Sequence, residues 1–258
     1  MNFFFHLSNS FVKSKLSIPK FSNHGAVNKK ISLFEAEIEE GKWVVNKTQC
    51  FEDDHFWSVN YQNKDDLQKI FFLATANEAA LISEHNQILD LNNFTNTLPD
   101  YRANLMIEGE SGGCSSYQSE YPFRMIQNQG SIYSDCGLLT TSRCKSVGVF
   151  IRNIVSKPIK KETNLYLYDQ QINQVLASFK ICTNEGRYID LSDFKENLCN
   201  SFIYADNFLG IPVYIIEYND GGLSMEHTHP PHEFVGGVDR FQLVKKLKDR
   251  INETIFTN

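Results

Sequence analysis

Apolar residues in the second half of the chain come in short dense runs separated by polar turns. VGVFIRNIV (147–155), NLYLYD (164–169), QVLASFKI (174–181), RYIDL (187–191) and SFIYA (201–205) are each rich in β-branched and aromatic residues. Such residues suit a pleated, half-buried surface, so each run predicts a strand. Residues Gln170 to Asn173 between the second and third runs predict a turn. IPVYIIEY (211–218) is apolar at nearly every position, which predicts a strand buried on both faces.

Two stretches carry a helical period instead. Thr75 followed by Glu78 fits a capping box opening a helix over 76–89, with Leu81, Ile82, His85, Ile88 and Leu89 on one face. His85 is read there as a hydrogen-bonded core or boundary histidine. A second helix over 239–255 starts on Asp239 as N-cap and buries Phe241, Val244, Leu247, Ile251 and Ile255. The expectation is a mainly β chain: a β-sandwich or jelly-roll-like single domain over 31–258, with one mid-chain helix and one C-terminal helix. Residues 1–30 lack a clear period and are read as an arm, anchored by Phe3, Phe4, Phe5 and Phe11 on the core or on a second subunit. The Gly/Ser-rich EGESGGCSS (108–116) is the one linker-like stretch.

Composition narrows the class. The chain has 258 residues, 41% hydrophobic and 22% charged, as in ordinary globular proteins, with 20 Phe and 11 Tyr to fill a large core. The net charge of −6 and the absence of a basic tract argue against nucleic acid, which needs clustered cations to displace counterions. Lys245, Lys246 and Lys248, with Asp249 and Glu253 nearby, read as a solvated helix face. No apolar run reaches the length of a membrane span, and no basic segment followed by an apolar one opens the chain. The six cysteines show no CxxC spacing, which argues against a thiolate zinc knot. A cytoplasmic protein with reduced thiols is the expectation.

The densest chemistry is MEHTHPPHE (225–233), where three of the seven histidines fall within six residues. Asn219, Asp220, Gly221 and Gly222 form a hairpin signal, so the segment is expected to fold back on IPVYIIEY. On a strand His227 and His229 share one face, with Glu226 on the other. The Pro230–Pro231 pair favours a polyproline turn that returns His232 to the side of His229. Imidazole and carboxylate are natural ligands of Zn, Fe and Mn. The order Gly221, His227, His229, Glu233 resembles the first motif of the cupin family. That resemblance implies a small β-barrel in which His227, His229 and Glu233 bind a divalent metal. The family's second motif has no counterpart here, and His232 fills the missing ligand's place in this reading.

A second polar patch lies in SSYQSEYPFRM (115–125). Glu120, Tyr121 and Arg124 together can hold a polar ligand: hydroxyls on Glu120, a flat face on Tyr121, an anionic group on Arg124. Arg102 and Asn104 can join them. Ser115, Ser116 and Cys114 lack the surroundings of an activated nucleophile. The function expected is a metal-dependent enzyme acting on a small polar metabolite, with a sugar or nucleotide-sugar as first guess. Glu120 or Tyr121 would be the acid/base. The alternative is a non-enzymatic carbohydrate-binding or assembly module, the latter a homo-oligomer held by the Phe-rich arm.

Overall fold

The computed structural model describes residues 2–4, 6–7, 12–22, 25–26, 30–61, 67–91, 103–118, 120–123, 132–139, 143–205, 212–227 and 240–257. The chain is mainly β, and the described residues form two α-helices and four principal sheets. Sheet I holds, in spatial order, β12 (Glu120–Pro122), β1 (Asn2–Phe4), β9 (Ile70–Ala74), β5 (Ser32–Glu39) and β6 (Lys42–Lys47). Sheet II holds β11 (Cys114–Gln118), β10 (Asn104–Gly109), β2 (Val12–Pro19), β8 (Phe56–Tyr61) and β7 (Phe51–Glu52). Sheet III is β17 (Gly186–Asp190), β14 (Cys144–Arg152), β19 (Val213–Tyr218) and β20 (Leu223–His227). Sheet IV is β13 (Ile132–Asp135), β18 (Ser201–Ala205), β15 (Glu162–Asp169) and β16 (Gln174–Cys182). A two-stranded ribbon pairs β3 (Phe21–Ser22) with β4 (Gly25–Ala26). Every pairing among these strands is antiparallel.

The apolar periods explain how the sheets meet. Strand β2 buries Val12, Ser14, Leu16 and Ile18 and exposes Lys13 and Lys15, the alternation of a half-buried strand. Strand β9 is buried throughout, so it has core on both sides. Its Phe71 and Leu73 pack with Leu16, Ile18, Trp57 and Val59 of sheet II. Its Phe72 and Ala74 pack the other way, with Ile82 and with Phe150, Val213 and Ile215 of sheet III. The opposite face of sheet III (Val147, Val149, Ile151, Ile216) meets Leu165, Leu167 and Ile203 of sheet IV. The outer side of sheet IV (Tyr168, Tyr204) is covered by Ile251 of helix α2 (Arg240–Thr257). The order II, I, III, IV, α2 is a propeller-like succession of small facing sheets. It corrects the expectation of one two-sheet sandwich or jelly roll: strands apolar on both faces, such as β9, β14 and β19, require more than two layers.

The stretch expected as an arm is built into the sheets. Strand β1 lies between β12 and β9, and Phe3, Phe4 and Leu7 are buried. Phe3 sits 5.9 Å from Phe72, ring centroid to centroid. EGESGGCSS is no linker either, since it is the tight connection between β10 and β11.

Helix α1 (Ala76–His85) begins as the capping box requires: Glu78 N–H donates to Thr75 Oγ1, and Thr75 N–H donates back to Glu78. It stops four residues before the expected end because Asn86 adopts a left-handed conformation, φ 49°. Ile82 and Ile88 are buried, whereas Leu81 and His85 are exposed, so His85 is a surface residue rather than a core one. Polar ties hold sheet I against sheet III. Buried Arg152 donates to the carbonyls of Leu67 and, at 2.7 Å, Gln68, and Trp43 Nε1 donates to Ser156 O at 3.0 Å. None of the six cysteines is joined in a disulfide. Among the described residues no helix is long and apolar enough to cross a membrane.

Candidate functional site

The hairpin that carries the histidine-rich segment forms where the sequence places it. Residues Asn219–Gly222 turn the chain between β19 and β20, with Gly221 at φ 83°, a conformation that disfavours a side chain. Gly221 N–H donates to Tyr218 O and Tyr218 N–H to Gly222 O, both at 2.9 Å. Asp220 accepts from Gly222 N–H at 3.1 Å and pairs with Arg143 at 2.7 Å. These hydrogen bonds, the Gly222 one first, hold its carboxyl below the usual aspartate range. The turn is therefore fixed by backbone and side chain together.

Strand β20 runs in register against β19, Leu223 opposite Glu217, Met225 opposite Ile215 and His227 opposite Val213. Met225, Ile215 and Val213 are buried in the core shared with sheet I. Glu226 is exposed and stands opposite Tyr214, one position out of phase with His227, which is the alternation expected for it. His227 is the last residue of β20. His229, His232 and Glu233 lie outside the described residues, as does the side chain of His227. Among the described residues no group of three or more His, Cys, Asp or Glu side chains is arranged to hold a metal ion.

The other edge of β20 is occupied. Met225 N–H donates to Ser115 Oγ at 3.1 Å, so β11 of sheet II runs beside the hairpin. The connections before the two strands also meet: a methyl group added to Gly113 would stand 2.1 Å from Gly221 O. The polar stretch that begins at Ser115 is thus delivered to the flank of the histidine hairpin. The stretch then changes sheet. Strand β11 belongs to sheet II, whereas β12, which carries Glu120 and Tyr121, is the edge of sheet I, opposite Phe4 and Phe3. The stretch is therefore divided between two strands. The side chains of Glu120 and Tyr121, and all of Arg124 and Arg102, lie outside the described residues. Asn104 opens β10 opposite Gln118, in the same sheet as Ser115.

Below the hairpin a buried polar cluster faces sheet IV. Tyr214 Oη and Cys136 Sγ lie 3.6 Å apart and both are fully enclosed. Burial pushes the Cys136 thiol up to about 12 and raises the Tyr214 phenol, so both stay protonated and neither is an activated nucleophile. Glu217, nearly buried on β19, is paired with Lys145 at 2.9 Å and so is satisfied structurally. No protein-family model matches this chain, and comparison with curated proteins and with solved structures gives no match either.

Proposed function

We propose that the protein is a metal-dependent enzyme acting on a small polar metabolite, with its centre on the β19–β20 hairpin. His227, His229 and either His232 or Glu233 hold a divalent ion, Zn, Fe or Mn, in the cupin-like manner of the motif. The observation that carries the reading is the hairpin itself. A tight, hydrogen-bonded turn and a buried register against β19 fix the backbone of the first ligand residue, and metal sites need such fixed backbones to hold ligand geometry. The strand β11 beside it brings the hydroxyl of Ser115 to the same flank, the kind of group that orients a polar metabolite. Glu120, Tyr121 and Arg124 remain our choice for acid/base and anion-holding roles, with sugars or nucleotide-sugars as first substrates to try.

Elemental analysis of the untagged protein, after dialysis against Zn, Mn and Fe(II) in turn, tests this directly. One ion per chain is expected, lost in His227→Ala and in His229→Ala and retained at reduced affinity in His232→Ala, with the fold intact in all three. Binding weakens below about pH 6, where imidazole takes up a proton and gives up its ligand lone pair. A wild-type protein that stays metal-free in all three dialyses would end the proposal and leave a non-enzymatic binding or assembly role as the better reading.

A further inference from the structure

We infer that the outer face of sheet IV carries a second binding site, a cleft for a small neutral polyol of the monosaccharide class. Alternation along β15 sends Leu165 and Leu167 into the core with sheet III and puts Glu162, Asn164, Tyr166 and Tyr168 on the other side. Helix α2 covers only part of that side. Ile251 seals Tyr168 and Tyr204, but over the start of β15 the last turns of the helix stand off and leave a cavity of about 270 Å³. Glu162, Asn164 and Tyr166 form its floor, and Asn252, Ile255 and Phe256 form its roof.

The chemistry of this lining selects its ligand. Tyr204 Oη donates to Asn252 Oδ1 at 2.8 Å and so fixes the amide in one orientation. Asn164 Nδ2 donates to Tyr166 Oη at 3.4 Å. The floor therefore presents an ordered row of amide, phenol and carboxylate groups, able both to donate and to accept. Glu162 is already neutralised by Lys180, Nζ to Oε1 2.7 Å, so a cation has little to gain. An anion is disfavoured by the negative end of the helix dipole. Phe256 is 78% exposed beside this polar floor, and an aromatic ring so placed can stack on the C–H face of a sugar ring. The volume lies just under the lower limit of about 300 Å³ for small-molecule pockets, which suits one sugar ring rather than a nucleotide or an oligosaccharide. The site shares no residue with the β19–β20 hairpin, so it stands whether or not that hairpin holds a metal.

Saturation-transfer NMR on the full, untagged chain tests the cleft, with glucose, galactose, mannose and N-acetylglucosamine as probes and choline as the cationic control. At least one sugar should show saturable binding in the millimolar range, as an open cleft predicts. Asn164→Ala and Phe256→Ala each remove one contact and should weaken it by roughly fivefold, the value of a single hydrogen bond or stacking contact. Both positions are exposed, so the melting temperature should not move. The same comparisons are made in the His227→Ala background, where no sugar is held through the hairpin metal, so that the signal read there is the cleft's own. No saturable transfer from any of the four sugars, binding that survives both cleft substitutions, or choline binding in preference to the sugars would each overturn the assignment.

Discussion

Gly113→Ala would test whether the last hairpin is held by sheet II or merely lies near it. The added methyl would stand 2.1 Å from Gly221 O, 3.1 Å from Gly221 C and 3.2 Å from Gly222 C. All three atoms are backbone, so no side chain can swing away. Reaching an ordinary contact of about 3.5 Å means parting the two turns by more than about 1 Å. The Met225 N–H···Ser115 Oγ bond at 3.1 Å spans the same seam and would not survive that shift. Overpacking costs about 1–3 kcal/mol and a buried donor left without its partner a similar amount, so the loss should be about 2–6 kcal/mol. Gly112→Ala is the control. It meets nothing within 4 Å, but its φ of 81° is unfavourable for a side chain. That costs about 1–2 kcal/mol on conformational grounds alone. Urea unfolding of both variants, followed by circular dichroism, would separate the two effects. Gly113→Ala should also lower metal affinity at the hairpin, because the strand bearing His227 moves with the turn. A Gly113→Ala protein no less stable than Gly112→Ala would refute the seam as a fixed contact, and with it the argument that β11 supports the site.

Thr75→Ala removes the side-chain half of the capping box, the Oγ1 that accepts from Glu78 N–H, and leaves the residue's own N–H to donate to Glu78; stability should fall by about 1 kcal/mol, measured by the same urea titration. Thiol labelling of the native protein should be fast at exposed Cys114 and Cys199 and slow at enclosed Cys136 and Cys144, as peptide mapping after a timed pulse would show; rapid labelling of Cys136 would contradict its burial. Stability should fall as pH rises above 9.0. The unfolded thiol of Cys136 ionises there while the folded one, raised to about 12, keeps its proton, so the unfolded state binds fewer protons and is favoured as pH climbs. The phenol of Tyr214, raised in the same sense, adds to that fall at higher pH, and Tyr214→Phe should remove its share.

What the sequence made legible followed period and turn chemistry. Strands β14 to β19 and the turn at 219–222 stand out because their apolar runs are dense and end on polar turn residues. The Thr75–Glu78 pair marks its helix start through two backbone hydrogen bonds that only this spacing allows. The helix end was hidden, because Asn86 stops α1 by a left-handed conformation, and the apolar residues beyond it still fit a helical period. Strand β2 was hidden for a different reason. Its alternating Lys and Ser residues look like a polar arm, although Val12, Leu16 and Ile18 hold a strict period of two. The cleft on sheet IV could not be read at all, since Glu162 and Asn164 meet Asn252 and Phe256 only through the crossing of α2 over β15. A sequence pattern shows which face a residue takes, and not which distant element covers it.

The place of β1 and β2 sets the order in which this chain can fold as it leaves the ribosome. Strand β1 pairs with β12 and β9, and β2 with β10 and β8, so these two strands wait for partners made up to about 120 residues later. Pairings so distant in sequence form slowly, and unpaired apolar strands are open to wrong partners while they wait. Sheets III and IV draw their strands from residues 132–227 alone. Translation therefore completes the sheet I and II strands before the other half begins, and those strands can close as one batch once residue 122 is clear. An N-terminal truncation meant to free an arm would remove an interior strand from sheet I and leave β9 with an open edge. Shortening the start of this chain is thus a way to stall its folding at the nascent stage, whatever the rest of it goes on to bind.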